Sequence, residues 1–361
     1  MTTPVNTATD HDTDNCPVVV VGAGAWGTAL ACAFSRNTST VLWSRDPAQL
    51  EQMVQTRINA RYLPQTRLPD ALMLEADLHR ALAHVTERPN QPASRAGLVI
   101  LGTPMAGLPA ITEKILADLQ ATGGRILGLI WTCKGLDAQS AKLPHEIMQT
   151  ELEAADKTVP IGALSGPSFA KEVAQGLPVA LTIASENEAL CEATIQTLHS
   201  PHVRVYQSTD VLGVSVGGAL KNIMAIACGI SDGLELGDNA RAALLTRGLA
   251  EMRRFGVALG AQASTFAGLT GLGDLVLTAT GDLSRNRQLG LAIGQGQSPQ
   301  VLLNQGITAE GARCVGAVLE RARTLGVNLP ISEAVHAVLF EGLSAQDCVT
   351  QLMTRDPARD I

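Results

Sequence analysis

From Pro17 to about Val205, short apolar runs alternate with stretches of helical spacing. The runs are Val18 to Val21, Val41 to Trp43, Leu98 to Leu101, Ile126 to Ile130, Ile161 to Leu164 and Val179 to Ala184. Runs that are apolar on both faces and separated by helices predict a parallel sheet covered on both sides, because each crossover lays a helix on one face. Thr86 to Gly97, with Pro89, Pro92 and polar neighbours, is too rich in breakers to be an element and reads as a surface loop leading into the strand at Leu98. After Tyr206 the pattern changes to long stretches rich in Ala, Leu and Arg: Gly218 to Gly229, Ala240 to Leu259, Ala309 to Leu325 and Ser332 to Leu339. These predict helices. The expected organisation is a disordered tail over 1–16, a doubly wound α/β domain over 17–205 and an all-α domain over 206–361.

Composition narrows this picture. The chain has 361 residues, 46% hydrophobic and 17% charged, enough for two ordinary cores, which excludes a disordered or collagen-like polymer. Lys+Arg 27 against Asp+Glu 34 gives a net charge of −7, and no basic run exceeds two residues, so no nucleic-acid surface is expected and partners should be small molecules. Cys16, Cys32, Cys133, Cys191, Cys228, Cys314 and Cys348 form no CxxC pair and sit mostly in apolar runs, the usage of a reduced, cytoplasmic protein. The first fifteen residues lack a basic start and an apolar core, and no later apolar run reaches the roughly 18 residues of a membrane span. The seven histidines are scattered, and no metal site is expected.

Val18 to Val21 runs directly into Gly22-Ala-Gly24-Ala25-Trp26-Gly27 and an Ala-rich helical stretch. This is GxGxxG between a strand and a helix. Gly22 suits a tight turn, Gly24 the close approach of a pyrophosphate and Gly27 close packing of helix on strand, with the helix N-terminus facing the phosphates. The alternative is a plain glycine-rich turn, but the position near the start of a βαβ unit favours a Rossmann-type dinucleotide site. Arg45 follows the next strand, 18 residues after Gly27, near the place where the adenosine ribose is read. An arginine there favours the 2′-phosphate of NADPH. The adjacent Asp46 keeps NADH open. Leu101-Gly-Thr-Pro104 and Thr132-Cys-Lys134-Gly end two further strands and should line the nicotinamide end of the cleft.

Lys221 is the only lysine in the 190 residues after Lys171, and it stands in Gly217-Gly-Ala-Leu-Lys-Asn222-Ile-Met-Ala-Ile-Ala-Cys-Gly229 without another charge. Helical spacing puts Lys221 with Ala225 and Cys228, so its ammonium needs an anionic neighbour or a lowered pKa, either of which suits a proton donor to a carbonyl oxygen. A lysine snorkelling to the surface is the bland alternative. Farther on, Gly271-Leu-Gly-Asp274-Leu-Val-Leu-Thr278 precedes Ser284-Arg285-Asn286-Arg287. A capping serine with two cations on a helix start reads as a phosphate site, or as a capped surface helix with solvated arginines. Ser165-Gly166-Pro-Ser168 ends a strand with small residues that allow a ligand close to the backbone.

In order, GAGAWGTALA (22–31), INARYLP (58–64), TCKGL (132–136), SGPSFAKE (165–172), GGALKN (217–222), NARAALLTRGLAEM (239–252), GLTGLGDLVLTAT (268–280) and SRNR (284–287) resemble the bacterial NAD(P)-dependent glycerol-3-phosphate dehydrogenases over nearly the whole chain. The resemblance implies reduction of dihydroxyacetone phosphate to sn-glycerol 3-phosphate, a phospholipid precursor, by a Rossmann domain followed by an all-α domain. Arg45 favours NADPH over NADH, the cysteine usage favours the cytoplasm, and a cytoplasmic homodimer is expected. Carried over by motif, Lys221 is the proton donor and acceptor, with Asn222, Asp274 and Thr278 beside it. Lys134, Gly166, Ser168, Lys221, Asp274, Ser284, Arg285 and Asn286 are substrate ligands. Gly22, Gly24, Ala25, Trp26, Gly27, Arg45, Tyr62, Lys134, Ala170, Arg285, Thr308 and Glu310 are cofactor contacts. The chain departs from the family pattern at Ser215, which stands for Glu, at Glu235, which stands for Gly in Asp232-Gly-Leu-Gly, and at Gly306 to Ala309, where an apolar pair is usual.

Overall fold

A computed structural model describes residues 15–89, 94–305 and 309–354 of the chain. The expected tail falls outside these residues apart from Asn15 and Cys16. The sheet half runs β1 (Val18–Val21), α1 (Ala25–Phe34), β2 (Thr40–Trp43), α2 (Pro47–Thr56), β3 (Met73–Glu75), α3 (Leu78–Ala83), β4 (Leu98–Leu101), α4 (Leu108–Thr122), β5 (Gly128–Trp131), α5 (Pro144–Ala154), β6 (Ile161–Ser165), α6 (Ala170–Gln175), β7 (Val179–Ala184), α7 (Glu188–Leu198) and β8 (Val203–Ser208). The helical half follows with α8 (Val211–Gly233), α9 (Gly237–Leu259), α10 (Asp274–Thr280), α11 (Arg285–Gly294), α12 (Pro299–Asn304), α13 (Glu310–Thr324), α14 (Pro330–Phe340) and α15 (Ala345–Met353).

The described strands form one eight-stranded sheet in the order β3-β2-β1-β4-β5-β6-β7-β8. The four valines of β1 are fully buried and divide between two cores. Val18 and Val20 pack with Leu30, Phe34 and Leu181, and Val19 and Val21 pack with Ile115, Leu116 and Met148. That division is the period-two geometry of a strand covered on both faces.

The expectation of an all-parallel sheet is corrected at one place: β7 runs antiparallel to β6, with Ala163 opposite Ala184 and Ser165 opposite Thr182. The six-residue α6 spans only about 9 Å, too short to carry the chain back along a strand of roughly 17 Å, so β7 starts from the same edge at which β6 ends. The strands β3 and β8 lie at the sheet's edges and were not among the apolar runs. In β8 burial alternates from Val203 to Tyr206, and the strand carries the sheet to Ser208, past the change of composition at 205. The stretch expected to be a loop from Thr86 is anchored at its start: Thr86 is fully buried, and Glu87 and Arg125 exchange two backbone hydrogen bonds of 2.9 Å. Residues 90–93 of it lie outside the described residues.

The helix α8 is the axis of the helical half. Asp210 caps it, accepting from Gly213 N at 2.9 Å, and also accepts from Gln262 N at 3.0 Å and Thr265 Oγ1 at 2.5 Å. The expectation that no apolar stretch reaches spanning length is corrected here, since α8 is 23 residues long with a mean hydropathy of 1.6 over its apolar window. As 89% of that window is buried inside the fold, it is a core helix. Ser215 donates to Val211 O at 2.8 Å, a local bond within the same helix.

Candidate active site

The glycine turn joins β1 to α1. Gly22 adopts φ +120°, and a Cβ there would lie 2.8 Å from Gly102 O, so backbone freedom and space both demand glycine. A Cβ on Gly27 would lie 2.0 Å from Gly22 O, whereas one on Gly24 would meet nothing within 4 Å. The helix α1 has Gly24 as its N-cap and no side-chain cap, which leaves its first-turn donors and positive dipole end facing that open space. Ala25 and Trp26 are half-buried on this first turn. The cradle therefore fits a dinucleotide pyrophosphate.

Two residues that the motif reading passed over set this turn. Asn59 is fully buried, donates to Ala23 O at 3.0 Å and Thr28 Oγ1 at 2.8 Å, and accepts from Gln49 Nε2 at 3.1 Å. Gln49 Nε2 also donates to Ala23 O at 3.0 Å. Together they hold the Ala23 carbonyl. The burial of an asparagine inside INARYLP was not legible without its partners. Arg45 is exposed past β2, while Asp46 caps α2 by accepting from Ala48 N at 3.1 Å and Gln49 N at 3.2 Å. The Asp46 carboxylate is thus held by its own helix, whereas Arg45 extends from the strand end. Tyr62 is 41% exposed, with Arg61 over its ring at 5.2 Å.

In the helical half, Lys221 is carried inside by α8, with only 7% of its side chain exposed, so it does not snorkel. Its Nζ donates to Asp274 Oδ1 in a short contact and to Thr278 Oγ1 at 2.8 Å. Asp274 opens α10 and Thr278 lies one turn on, which is why Asp-x-x-x-Thr spacing delivers both to one ammonium. Lys134, beyond β5, reaches the other carboxylate oxygen, Oδ2, at 2.6 Å. Its stem lies along α8, where a Cβ on Gly218 would sit 3.2 Å from Lys134 Cγ. Two ammonium groups therefore share one carboxylate.

The charges respond accordingly. Burial pushes Asp274 up, but Lys134 and Lys221 outweigh it and hold the carboxyl below its usual value. Burial pushes Lys134 down, and Asp274 more than restores it. Lys221 is the one held low: burial, reinforced by the Lys134 charge, brings it to about 7 despite Asp274.

A second network extends from the next residue. Asn286 Nδ2 donates to Asn222 Oδ1 at 3.0 Å, Gly311 N donates to Asn286 Oδ1 at 3.0 Å, and Asn222 Nδ2 donates to Glu310 Oε2 at 3.2 Å. Lys221, Asn222, Asp274, Thr278, Lys134, Asn286 and Glu310 are thereby brought together from α8, α10, α11, α13 and the loop after β5. The loop after β6 closes on the same place. Gly166 is buried at φ +141°, Ser168 Oγ donates to Gly166 O at 3.2 Å, and Pro167 lies 3.6 Å from where a Gly273 Cβ would be. Ala170 begins α6 just beyond.

The start of α11 is corrected in one respect. Ser284 caps it, accepting from Arg287 N at 3.2 Å, and Arg285 is exposed on its first turn. The second expected cation is not available to a ligand, because Arg287 is paired with Asp232 at 2.8 Å and Asp282 at 2.9 Å. Four glycines missed by motif reading press α11 onto α8. A Cβ on Gly229, Gly233, Gly290 or Gly294 would lie 2.2, 2.4, 2.1 and 2.4 Å from Arg287 O, Leu291 O, Ile226 O and Ile230 O. Their i, i+4 spacing on both helices was the available signal. Thr308 lies outside the described residues.

A buried lysine with a lowered pKa, in a chain that also carries a dinucleotide cradle, is equipped to exchange a proton with a carbonyl oxygen as hydride is exchanged with its carbon. The class of protein is therefore a two-domain nicotinamide-dependent dehydrogenase. Comparison with known proteins narrows the class. The chain belongs to the NAD-dependent glycerol-3-phosphate dehydrogenase family, whose N-terminal model matches residues 17–191 and whose C-terminal model matches residues 210–350. It is 52% identical over 343 residues to a glycerol-3-phosphate dehydrogenase, NAD(P)+, of Cupriavidus taiwanensis, covering 94% of this chain and 98% of that one. A namesake from Herminiimonas arsenicoxydans is 48% identical over 345 residues, covering 95% and 99%. The crystal structure of glycerol-3-phosphate dehydrogenase from Coxiella burnetii superposes with a TM-score of 0.83 at 38% identity, covering 94% of this chain and 99% of that one.

Proposed function

We propose that this chain transfers hydride reversibly between NAD(P)H and the C2 position of dihydroxyacetone phosphate, giving sn-glycerol 3-phosphate. The observation that carries the reading is the carboxylate of Asp274 shared by Lys221 and Lys134 next to Asn286 and Glu310. The bound nicotinamide supplies the hydride. Lys221 holds the proton at Nζ, in a site sheltered from water, and passes it to the C2 oxygen where negative charge builds. Asp274 and Thr278 fix the direction of that ammonium, and Lys134 adds a second positive charge near the oxygen.

The substrate phosphate is held at the start of α11 by Ser284, Arg285 and Asn286, with Gly166 and Ser168 lining the approach. Anchoring at a group remote from C2 uses binding energy to orient the carbonyl. Gly22, Gly24, Ala25, Trp26 and Gly27 hold the pyrophosphate, and Arg45 the 2′-phosphate that favours NADPH. Tyr62, Ala170, Arg285 and Glu310 would complete the cofactor's surroundings. On this reading 17–205 chiefly binds nucleotide and 206–361 chiefly carries the proton donor and phosphate anchor, with Lys134, Gly166 and Ser168 contributed to the substrate from the first and Arg285 and Glu310 to the cofactor from the second. A cytoplasmic homodimer supplying glycerophospholipid synthesis completes the proposal.

The test is spectrophotometric. Purified protein with dihydroxyacetone phosphate should oxidise NADPH, and Arg285→Ala should raise KM for the phosphorylated ketone much more than for dihydroxyacetone. No oxidation of either nicotinamide cofactor would overturn the function, and equal losses on the two ketones would overturn the assignment of Arg285.

A further inference from the structure

We infer that Asp232 is a positioning residue that aims the start of α11 at the substrate phosphate, an inference that rests on the phosphate site proposed above. Asp232 lies near the C-terminal end of α8 with 6% of its side chain exposed. Its Oδ1 accepts from Arg241 Nε at 2.8 Å and lies 2.7 Å from Arg241 Nη2. Its Oδ2 accepts from Arg287 Nε at 2.9 Å and lies 2.8 Å from Arg287 Nη2. One carboxylate thus ties together α8, α9 and the first turn of α11. Asp238 and Asp282 complete the clamp, at 3.0 Å from Arg241 Nη1 and 2.9 Å from Arg287 Nη1.

The geometry gives the clamp a consequence beyond holding helices together. Side chains on a helix turn by about 100° per residue, so Arg287 and Arg285 project in nearly opposite directions, with Asn286 between them. Fixing Arg287 against α8 and α9 fixes the rotation of this turn. Arg285 is then turned to the exposed face while Asn286 meets Asn222, the neighbour of Lys221. The clamp also occupies the Arg287 guanidinium with two carboxylates, so that it does not compete with Arg285 for a dianion. Loss of Asp232 would leave Arg287 only its pair with Asp282, in the turn just before α11, and would cut its tie to α8 and α9, so that the rotation of this turn would rest on Asn286 through Asn222 and Gly311.

The experiment uses the full chain as Asp232→Asn, Asp232→Glu, Arg287→Gln and Arg285→Ala. For each, kcat/KM is measured with dihydroxyacetone phosphate and with dihydroxyacetone, together with NADPH affinity by fluorescence and the melting temperature. Asp232→Asn should lower the phosphorylated-to-unphosphorylated ratio of kcat/KM by about tenfold or more, and Asp232→Glu should recover most of the ratio. A lower melting temperature with an unchanged ratio would make Asp232 merely structural and overturn the inference. Should Asp232→Asn fail to fold, Arg287→Gln cuts the same clamp from its more exposed side, and an unchanged ratio there overturns it equally. An unchanged ratio in Arg285→Ala would overturn the phosphate site itself, whereas a lowered ratio there with none in Asp232→Asn overturns only the clamp.

Discussion

The contact between α8 and α11 makes Gly290→Ala the most informative single change. The added methyl would lie 2.1 Å from Ile226 O, 2.9 Å from Ile230 N and 3.0 Å from Gly229 Cα, all of them backbone atoms that no rotamer change can move. Carbon and oxygen rest at about 3.3 to 3.6 Å, so α11 must withdraw by roughly 1 Å. Overpacking of this kind costs about 1 to 3 kcal/mol, against which alanine returns about 0.5 to 1 kcal/mol of helix propensity. At roughly 2 to 4 °C per kcal/mol for a domain of this class, the net loss of up to about 2.5 kcal/mol should lower the melting temperature by up to about 10 °C. The chemical penalty should be larger, because a displacement of about 1 Å at a site that orients substrate costs on the order of 10²-fold in kcat/KM. Gly316→Ala is the control. Its methyl would meet only His336 Nε2, at 4.0 Å, within α13, so the protein should be stabilised with activity unchanged. Scanning calorimetry and steady-state kinetics on both variants decide the matter. If Gly290→Ala melts no lower than wild type and keeps kcat/KM within about threefold, the glycine contact does not set the site.

Three further outcomes are expected. Lys221, brought to about 7 by burial, is protonated below that pH and neutral above it, so kcat for ketone reduction should fall and kcat for alcohol oxidation should rise as pH passes through about 7. Lys221→Ala should lower kcat by about 10² to 10⁴-fold with NADPH affinity intact, and retention of a tenth of the rate would refute its role. Arg45→Ala should remove an NADPH preference of about 10- to 100-fold and leave NADH nearly untouched, because Asp46 is committed to capping α2; equal weakening of both cofactors would make Arg45 a pyrophosphate or packing residue. Glu235 is exposed at φ +56°, where a side chain costs about 1 to 2 kcal/mol, so Glu235→Gly should raise the melting temperature by about 1 to 3 °C without altering kcat, and a drop on calorimetry would refute the strain.

What could be read from the chain was local. Val18 to Gly27 places strand, turn and helix within ten consecutive residues, so each glycine's job follows from its neighbours alone. The rarity of lysine singled out Lys221, and the length and alanine content of its surroundings predicted a buried helix. The same local reading gave Arg287 a ligand's role, because Ser-Arg-Asn-Arg says nothing of a carboxylate 55 residues earlier that occupies it.

The rest depended on which segments meet. Lys134 and Asp274 are 140 residues apart, and their contact, with the lowered pKa of Lys221 that it reinforces, exists only once β5 and α10 are placed against α8. Glu251 is another case: in the sequence it is one charge in a helix rich in arginine, yet in the fold it is 1% exposed and accepts from Ile331 N at 2.6 Å and Ser332 N at 3.3 Å, serving as the cap that Leu329 does not give α14. Its burial pushes the carboxyl up to about 7. The direction of β7 was likewise undecided by its apolar run, because burial on two faces is the same for either direction and only the shortness of α6 selects one. Hydrophobic period and turn chemistry act between near neighbours and are written along the chain, whereas ion pairs, shared carboxylates and backbone contact between helices arise from distant segments, so the sequence determined the elements and the cradle while tertiary packing decided the charge state and aim of the site.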